Sequence, residues 1–492
     1  MGRDMTGASG PGPLPLVPVT SPAPSVPPSP SGSATGVLRR GLTMRHIRFI
    51  ALGSAIGTGL FLGSGQTIAS AGPAVLVSYL VAGACVFLVM RALGEMAVRH
   101  PVAGSFANYA NHYLGPYFGF LAGWTFVFEM LLVAIADMTA VTRYMGLWFP
   151  GAPGWVWMLA AIALVVGLNL LRVRVFGEVE FWFSLIKVLT IVALIVGGVV
   201  LLVFGLSVGG HTPSVSNLWD SGFAPFGVWG IVMSLGVVAF SFGGIETLGS
   251  TAGEASAPER SIPKAINSVP VRILLFYVLS LGVILCLVPW NALDPAASPF
   301  VTVFSALGLP AAQHVVNLVV LTAALSAMNS ITYASARLMY GLARQGQAPR
   351  AFARTGTGAG VPLLPVLVVL GALLVGLVAF LLIPDALFLM VASIASFATV
   401  ATWVFILVAH LAMRRRLRAS DERTTYRLPA SPVTNVVALA FCVFVLVVQA
   451  FDPSTVWALI IGVAWVVLIS LGYLGVRGRG RERVELDPAS AA

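Results

Sequence analysis

Charge is scarce in this chain. Of its 492 residues, 9% are Asp, Glu, Lys or Arg and 58% are hydrophobic, whereas soluble proteins carry about 25% charged residues. That deficit excludes a water-soluble globule. Cysteine is nearly missing too. Cys85, Cys286 and Cys442 all fall inside apolar runs, so neither a disulfide framework nor a CxxC metal or redox motif is expected. No HExxH, GxSxG or GxxxxGK[ST] pattern occurs in a workable context, which speaks against a membrane enzyme or an ATP-driven pump and leaves no cofactor to expect. Residues 1–37 lack an apolar stretch of the kind a cleavable signal peptide needs. They hold nine prolines among Ser, Gly and Ala and are expected to form a disordered tail.

What the chain does have is a succession of apolar runs of about 20 residues, each long enough to cross a bilayer as a helix. Twelve are expected, at roughly 47–70, 74–97, 118–146, 155–173, 180–204, 227–251, 268–289, 314–341, 363–383, 386–411, 432–451 and 454–475. The expected fold is therefore an all-α polytopic membrane protein with 12 transmembrane helices. Its membrane domain runs over 38–476, followed by a short tail at 477–492.

The net charge of +10 has a simple origin. Of 28 Lys and Arg residues, 26 fall in the two tails or at alternate connections on that same side, and the opposite loops hold only Arg143. The positive-inside rule then puts both termini in the cytoplasm, with the protein in the cell membrane. The basic excess describes topology and contact with lipid, not a surface for nucleic acid.

Two spans are interrupted. The first contains GSAIGTG, Gly53 to Gly59, and the sixth contains FSFGGIE, Phe240 to Glu246. One glycine-rich helix alone reads as small-residue packing of helix on helix. Two of them, five spans apart, fit an inverted repeat with broken helices at the ligand site. Repeat one then covers about 45–206 and repeat two about 225–413, with helices 11 and 12 at about 430–476 outside it. Unwinding exposes amides at one half-helix start and carbonyls at another half-helix end. A zwitterionic amino acid matches both.

Four ionisable groups lie deep in the expected spans: Glu129, Asp137, Lys187 and Glu246. Each is costly there and is a functional candidate. Lys187 stands out because the chain has two Lys against 26 Arg. A buried lysine can release its proton and an arginine cannot, so Lys187 is a candidate proton carrier, with snorkelling to the nearer membrane face or structural pairing as the alternative. Glu246 serves either the half-helix dipole or coupling and gating. Asp137, grouped with Lys187 and Glu246 as a coupling or gating candidate, either contacts substrate or is a buried hydrogen-bonded carboxylate, and Arg143 at i+6 is a poor partner for it. Glu129 reads as structural. Ser326, Asn329, Ser330, Ser393 and Ser396 bring polarity without charge, which suits either an uncharged substrate side chain or helix-to-helix hydrogen bonds.

Several motifs together resemble the amino-acid transporter branch of the amino acid-polyamine-organocation superfamily. They are GLTMRHIRFIALGSAIGTGLF from Gly41, ALGEM from Ala92, EFWFSLIKV from Glu180, FSFGGIE from Phe240, TAGEA from Thr251 and SARLMYGLARQGQAP from Ser335. FEMLLVAIADMTAV from Phe128, YMGLWFP from Tyr144 and SIPKAINSVPVRILLFYV from Ser261 are most similar to the proline-specific permeases.

The resemblance implies a five-plus-five inverted repeat of the LeuT-like kind and proton-coupled uptake of a neutral amino acid by alternating access. By the same resemblance, Ala55, Thr58 and Gly59 meet the substrate's carboxylate and amino groups, and Ser54 and Gly57 of the same break are further substrate-binding candidates. Phe240, Ser241 and Gly243 match the second break, with Phe240 as an aromatic lid, and Phe242 is a further substrate-binding candidate that bounds the side-chain pocket with Phe240. Lys187 stands where sodium-driven relatives hold their ion, and Glu246 matches a coupling residue. An exchanger without net proton coupling, carrying histidine, aromatic or other neutral amino acids, and a non-transporting amino acid receptor are the alternatives.

Overall fold

The computed structural model describes residues 56–102, 105–170, 173–250, 257–306, 310–355, 361–422, 424–451 and 455–476. The expected tails at 1–37 and 477–492, the motif TAGEA, and Gly53, Ser54 and Ala55 of the first break lie outside these residues.

Helices follow the apolar runs, and Gly and Pro mark their ends. After a short helix α1 (Thr58–Phe61), Leu62 turns the chain into α2 (Gly63–Ala71), and Gly72 at φ +60° leads into α3 (Val75–Arg99). A side chain would be strained in that left-handed conformation. α4 (Ser105–Leu114) ends at Gly115, φ +112°, and Pro116 opens α5 (Pro116–Gly146), where its missing N–H costs nothing. Then come α6 (Gly154–Leu170), α7 (Val173–Phe204) and α8 (Gly227–Ser241). α9 (Thr247–Ser250) resumes beyond the second break.

A helix the apolar runs do not predict, α10 (Pro258–Asn267), precedes α11 (Val269–Ile273). α11 continues through a π-helical turn (Leu274–Leu279) into α12 (Ser280–Leu287). The remainder comprises α13 (Pro299–Ala306), α14 (Pro310–Arg344), α15 (Leu363–Leu382), α16 (Leu387–Ala419), α17 (Val433–Val448) and α18 (Val456–Val476).

Among the described residues, eight helical stretches are long and apolar enough to cross a membrane, and three further apolar helices are shorter. The first of the eight, Gly63–Arg99, takes in the later part of expected span 1 and all of span 2. Burial separates inner from outer helices. In α16, 78% of the apolar window is enclosed by protein, against 11% in α18. The exposed faces of α18 remain apolar, with Val467, Leu468, Leu471 and Leu474 outward. Such faces suit lipid tails and not water.

The ALGEM motif explains itself at the Arg-rich ends of α3 and α16. A Cβ on Gly94 would stand 2.2 Å from Ile266 Cδ1, so the missing side chain lets α10 lie on α3. Glu95, fully buried, accepts four hydrogen bonds. They come from Thr424 Oγ1 at 2.7 Å, Arg414 Nη1 at 3.0 Å, the Leu428 amide at 2.7 Å and His410 Nε2 at 2.9 Å. Arg91 adds to this strap, stacking over the Tyr426 ring at 3.9 Å and donating to Asn267 Oδ1 at 3.0 Å. Glu95→Ala is expected to destabilise the protein by about 3–5 kcal/mol, because it strands several buried donors at once. An unchanged melting temperature in detergent would contradict this.

Candidate functional site

The start of α1 and the end of α8 meet. Gly57 is extended, at φ −119° and ψ −166°, and caps the start of α1. α8 ends at Ser241, and residues 242–246 form a turn in which Gly244 takes φ +89°. That angle requires glycine. The Glu246 carboxylate folds back on the turn, its Oε1 accepting from the Gly244 amide at 2.9 Å, and Thr247 Oγ1 donates to the Gly244 carbonyl at 2.6 Å. Side chains thus replace the helical hydrogen bonds that the break removes.

Ser241 Oγ donates to the Gly59 carbonyl at 2.9 Å. A Cβ added to Gly59 would lie 2.6 Å from Ser241 Cα, so only glycine allows this approach. The Ser241 carbonyl, freed where α8 stops, accepts from Tyr277 Oη at 2.8 Å. Tyr79, from α3, lies 3.4 Å from Ser241 Oγ. Phe242 packs against both tyrosines, with ring centroids 4.8 Å from Tyr277 and 6.0 Å from Tyr79. Phe242 therefore helps to pin the turn. Phe240 meets Phe388 of α16 edge-on at 6.3 Å.

Asp137 reaches the first break from α5. Thr58 Oγ1 donates to its Oδ1 at 2.6 Å, and the carboxyl is 1% exposed. Arg143, as its spacing suggests, turns elsewhere and pairs with Asp385 at 3.4 Å. Lys187 of α7 is fully enclosed by protein. Full enclosure does not fit a side chain snorkelling to the surface.

Glu129 lies one side further on. Its two oxygens accept from Thr399 at 2.8 Å and Thr402 at 2.9 Å, both on α16. The next residue, Trp403, donates to Glu246 Oε2 at 3.4 Å. A Cβ on Gly243 would stand 3.6 Å from Glu129 Oε1, so this carboxyl lies against the second break. The polar residues of α14 and α16 divide their bonds among helices. Asn169 donates to Asn329 Oδ1 at 2.9 Å, Ser396 donates to the Gly236 carbonyl, and Ser393 bonds Leu389 of its own helix at 2.8 Å.

Sequence reasoning missed Tyr79, Tyr277, Thr399, Thr402 and Trp403. Each is an ordinary residue on an apolar helix, and only the crossing of helices gives it a partner.

The class follows from this arrangement: a multi-pass helical membrane protein in which the start of α1 packs on the end of α8 beside buried ionisable groups. Residues 46–485 match the amino acid permease family, and the chain belongs to it. It is a permease and not an enzyme. It is 44% identical over 440 residues to the uncharacterized amino acid permease YtnA of Bacillus subtilis, covering 89% of this chain and 95% of that one. The aromatic amino acid transport protein AroP of Escherichia coli strain K12 matches to the same extent, 44% over 440 residues with 89% and 95% covered. A D-serine/D-alanine/glycine transporter of Escherichia coli is 42% identical over 441 residues, with 89% and 94% covered.

Proposed function

We propose that the chain imports a neutral amino acid together with a proton, by alternating access around the two breaks. The observation that carries this reading is the contact of Gly59 with Ser241, which holds the start of α1 against the end of α8. Backbone freed from helical bonding in a membrane is tolerated where it lines a cavity or is buried in protein, and broken helices mark the binding site in many secondary carriers. Gly57, Thr58 and Gly59, continuing from Ser54 and Ala55, take the substrate's charged end. Phe240, Ser241 and Gly243 close over it, while Phe242 shapes the turn. Lys187 carries the proton, and Glu246 couples it to the turn.

Twelve spans in a five-plus-five repeat, with both termini cytoplasmic, belong to the same proposal. The one-sided distribution of Lys and Arg supports it. Proline is the first substrate to try, on the strength of the runs from Phe128, Tyr144 and Ser261. The names of the relatives add aromatic amino acids and D-serine, D-alanine and glycine as competitors.

The test is uptake of labelled proline into proteoliposomes under an imposed pH gradient and membrane potential, with the twenty common amino acids and D-serine and D-alanine as competitors. Accumulation that collapses with a protonophore is expected. Binding without accumulation would identify a receptor, and uptake only against preloaded substrate an exchanger. A panel in which proline neither enters nor competes would remove proline and leave the wider reading.

A further inference from the structure

Among the described residues a single stretch of π-helix occurs, Leu274–Leu279, between α11 and α12. The backbone stays helical on both sides, with Ile273 at φ −61° and ψ −48° and Ser280 at φ −64° and ψ −44°. The turn therefore widens the helix without breaking it. It takes up one extra residue, and in an α-helix one residue amounts to about 100° of rotation, so side chains on one side of the turn are re-aimed by about that angle. Ser280 Oγ donates to the Phe276 carbonyl and so takes up a backbone acceptor inside the widened turn.

Tyr277 lies within this turn and is 1% exposed. Its hydroxyl donates to the Ser241 carbonyl at 2.8 Å, 36 residues earlier. That carbonyl belongs to the last residue of α8. In a continuing helix the Ile245 amide would bond to it, but that amide turns to the Phe242 carbonyl at 3.4 Å. A buried carbonyl freed in this way needs a donor from elsewhere, and Tyr277 supplies one. The Tyr277 ring packs against Phe242 at 4.8 Å and Tyr79 at 5.4 Å. α3 can bring Tyr79 so near because Gly83 has no side chain: a Cβ there would stand 2.7 Å from Ile273 Cγ2.

Ser241 also makes the contact between α1 and α8. Its Oγ donates to the Gly59 carbonyl at 2.9 Å, and a Cβ on Gly59 would lie 2.6 Å from its Cα. Even a small rotation of the Ser241 peptide would drive the serine into α1 or draw its hydroxyl out of hydrogen-bonding range.

We infer that Tyr277 is a positioning residue for this contact: by holding the Ser241 carbonyl it sets Ser241 Oγ on Gly59, and so shapes the seat that a substrate meets. The π-helical turn gives Tyr277 its aim. This rests on the permease reading above and adds to it a residue from a helix that carries no part of either break.

The experiment measures uptake by the full chain in proteoliposomes, with labelled proline or whichever member of the competition panel above the wild type accumulates fastest. The wild type is compared with Tyr277→Phe, Ser241→Ala and the double variant. Ser241→Ala keeps the carbonyl that Tyr277 holds and removes the hydroxyl that reaches Gly59. Each single variant is expected to lower kcat/KM by about tenfold, the fold-change of one buried hydrogen bond. If Tyr277 acts through Ser241, the double variant also falls by about tenfold, because the contact on which Tyr277 acts is already gone.

A tyrosine that merely fills space would give another pattern. Wild-type uptake in Tyr277→Phe, or losses that multiply to about a hundredfold in the double variant, would overturn the assignment while leaving transport intact. Where Tyr277→Phe yields no folded protein, para-aminophenylalanine at position 277 decides, since it keeps a donor at the end of the ring. Uptake close to that of the wild type is expected, and a tenfold loss in a folded protein would sink the idea. A wild type that accumulates no member of the panel would remove the permease substrate reading and this assignment together.

Discussion

Lys187→Met protein is expected to exchange amino acid across a membrane yet fail to concentrate it. A potential of 100 mV contributes about 2.3 kcal/mol per charge and one pH unit about 1.4, together about 3.7 kcal/mol or roughly 500-fold accumulation for one proton per substrate. With methionine at 187 that ratio is expected to drop to about one, while exchange of labelled for unlabelled substrate continues. Lys187→Arg is the sharper variant. It preserves the positive charge but holds its proton at every working pH, so it too should lose accumulation. If Lys187→Arg concentrates substrate as the wild type does, the residue supplies a fixed charge and the proton travels elsewhere. Complete enclosure of Lys187 makes the test informative, because a surface lysine would tolerate either replacement.

The second large effect is expected at Gly59. Its added Cβ would meet Ser241 Cα at 2.6 Å, and the backbone of α8 cannot turn aside as a flexible side chain can. Gly59→Ala should separate the two breaks and reduce uptake by about 10- to 100-fold, the kinetic equivalent of an overpacking strain of about 1–3 kcal/mol. Ser241→Gly should not rescue it, since it removes Oγ and Cβ at 3.0 and 3.1 Å but leaves the closer Cα in place. Gly57→Ala provides the contrast. Nothing described stands within 4 Å of its Cβ, so the protein should fold normally and lose affinity for substrate instead. Uptake kinetics and thermal stability, measured in parallel on the three variants, separate these outcomes. A Gly59→Ala protein with normal uptake would mean that the breaks do not need to touch.

Much of this arrangement is legible along the chain because it depends on composition. Gly243 and Gly244 before Glu246, or a lone lysine in an apolar run, are visible without any knowledge of neighbours. Pairings are another matter. Asp137 can be weighed against Arg143 by counting along α5, but its partner is Thr58, 79 residues earlier. Glu129 finds Thr399 and Thr402, 270 and 273 residues later. Helical spacing says which residues share a face, and it is silent on which helix that face meets. The same limit hid Tyr277, whose hydroxyl answers the carbonyl that α8 leaves open. Phe242 shows the same limit: its place within the turn is visible along the chain, but Tyr79 and Tyr277, which flank its ring, are not. α10 escaped because it is short, polar on one face and led by a proline, unlike the apolar runs that betray a span.

The strap around Glu95 has a mechanical consequence. Its four bonds join α3, α16 and the segment before α17 at their Arg-rich ends, and Asn435 of α17 joins through His410 at 3.0 Å. Those helix ends form one stiff lever that cannot be parted a bond at a time without stranding a buried charge. Any rocking that opens a route on that side must bend somewhere softer. Among the described residues regular α-helix is interrupted on either side of α10, by the glycine turn at 242–246 and by the π-helical turn at Leu274–Leu279.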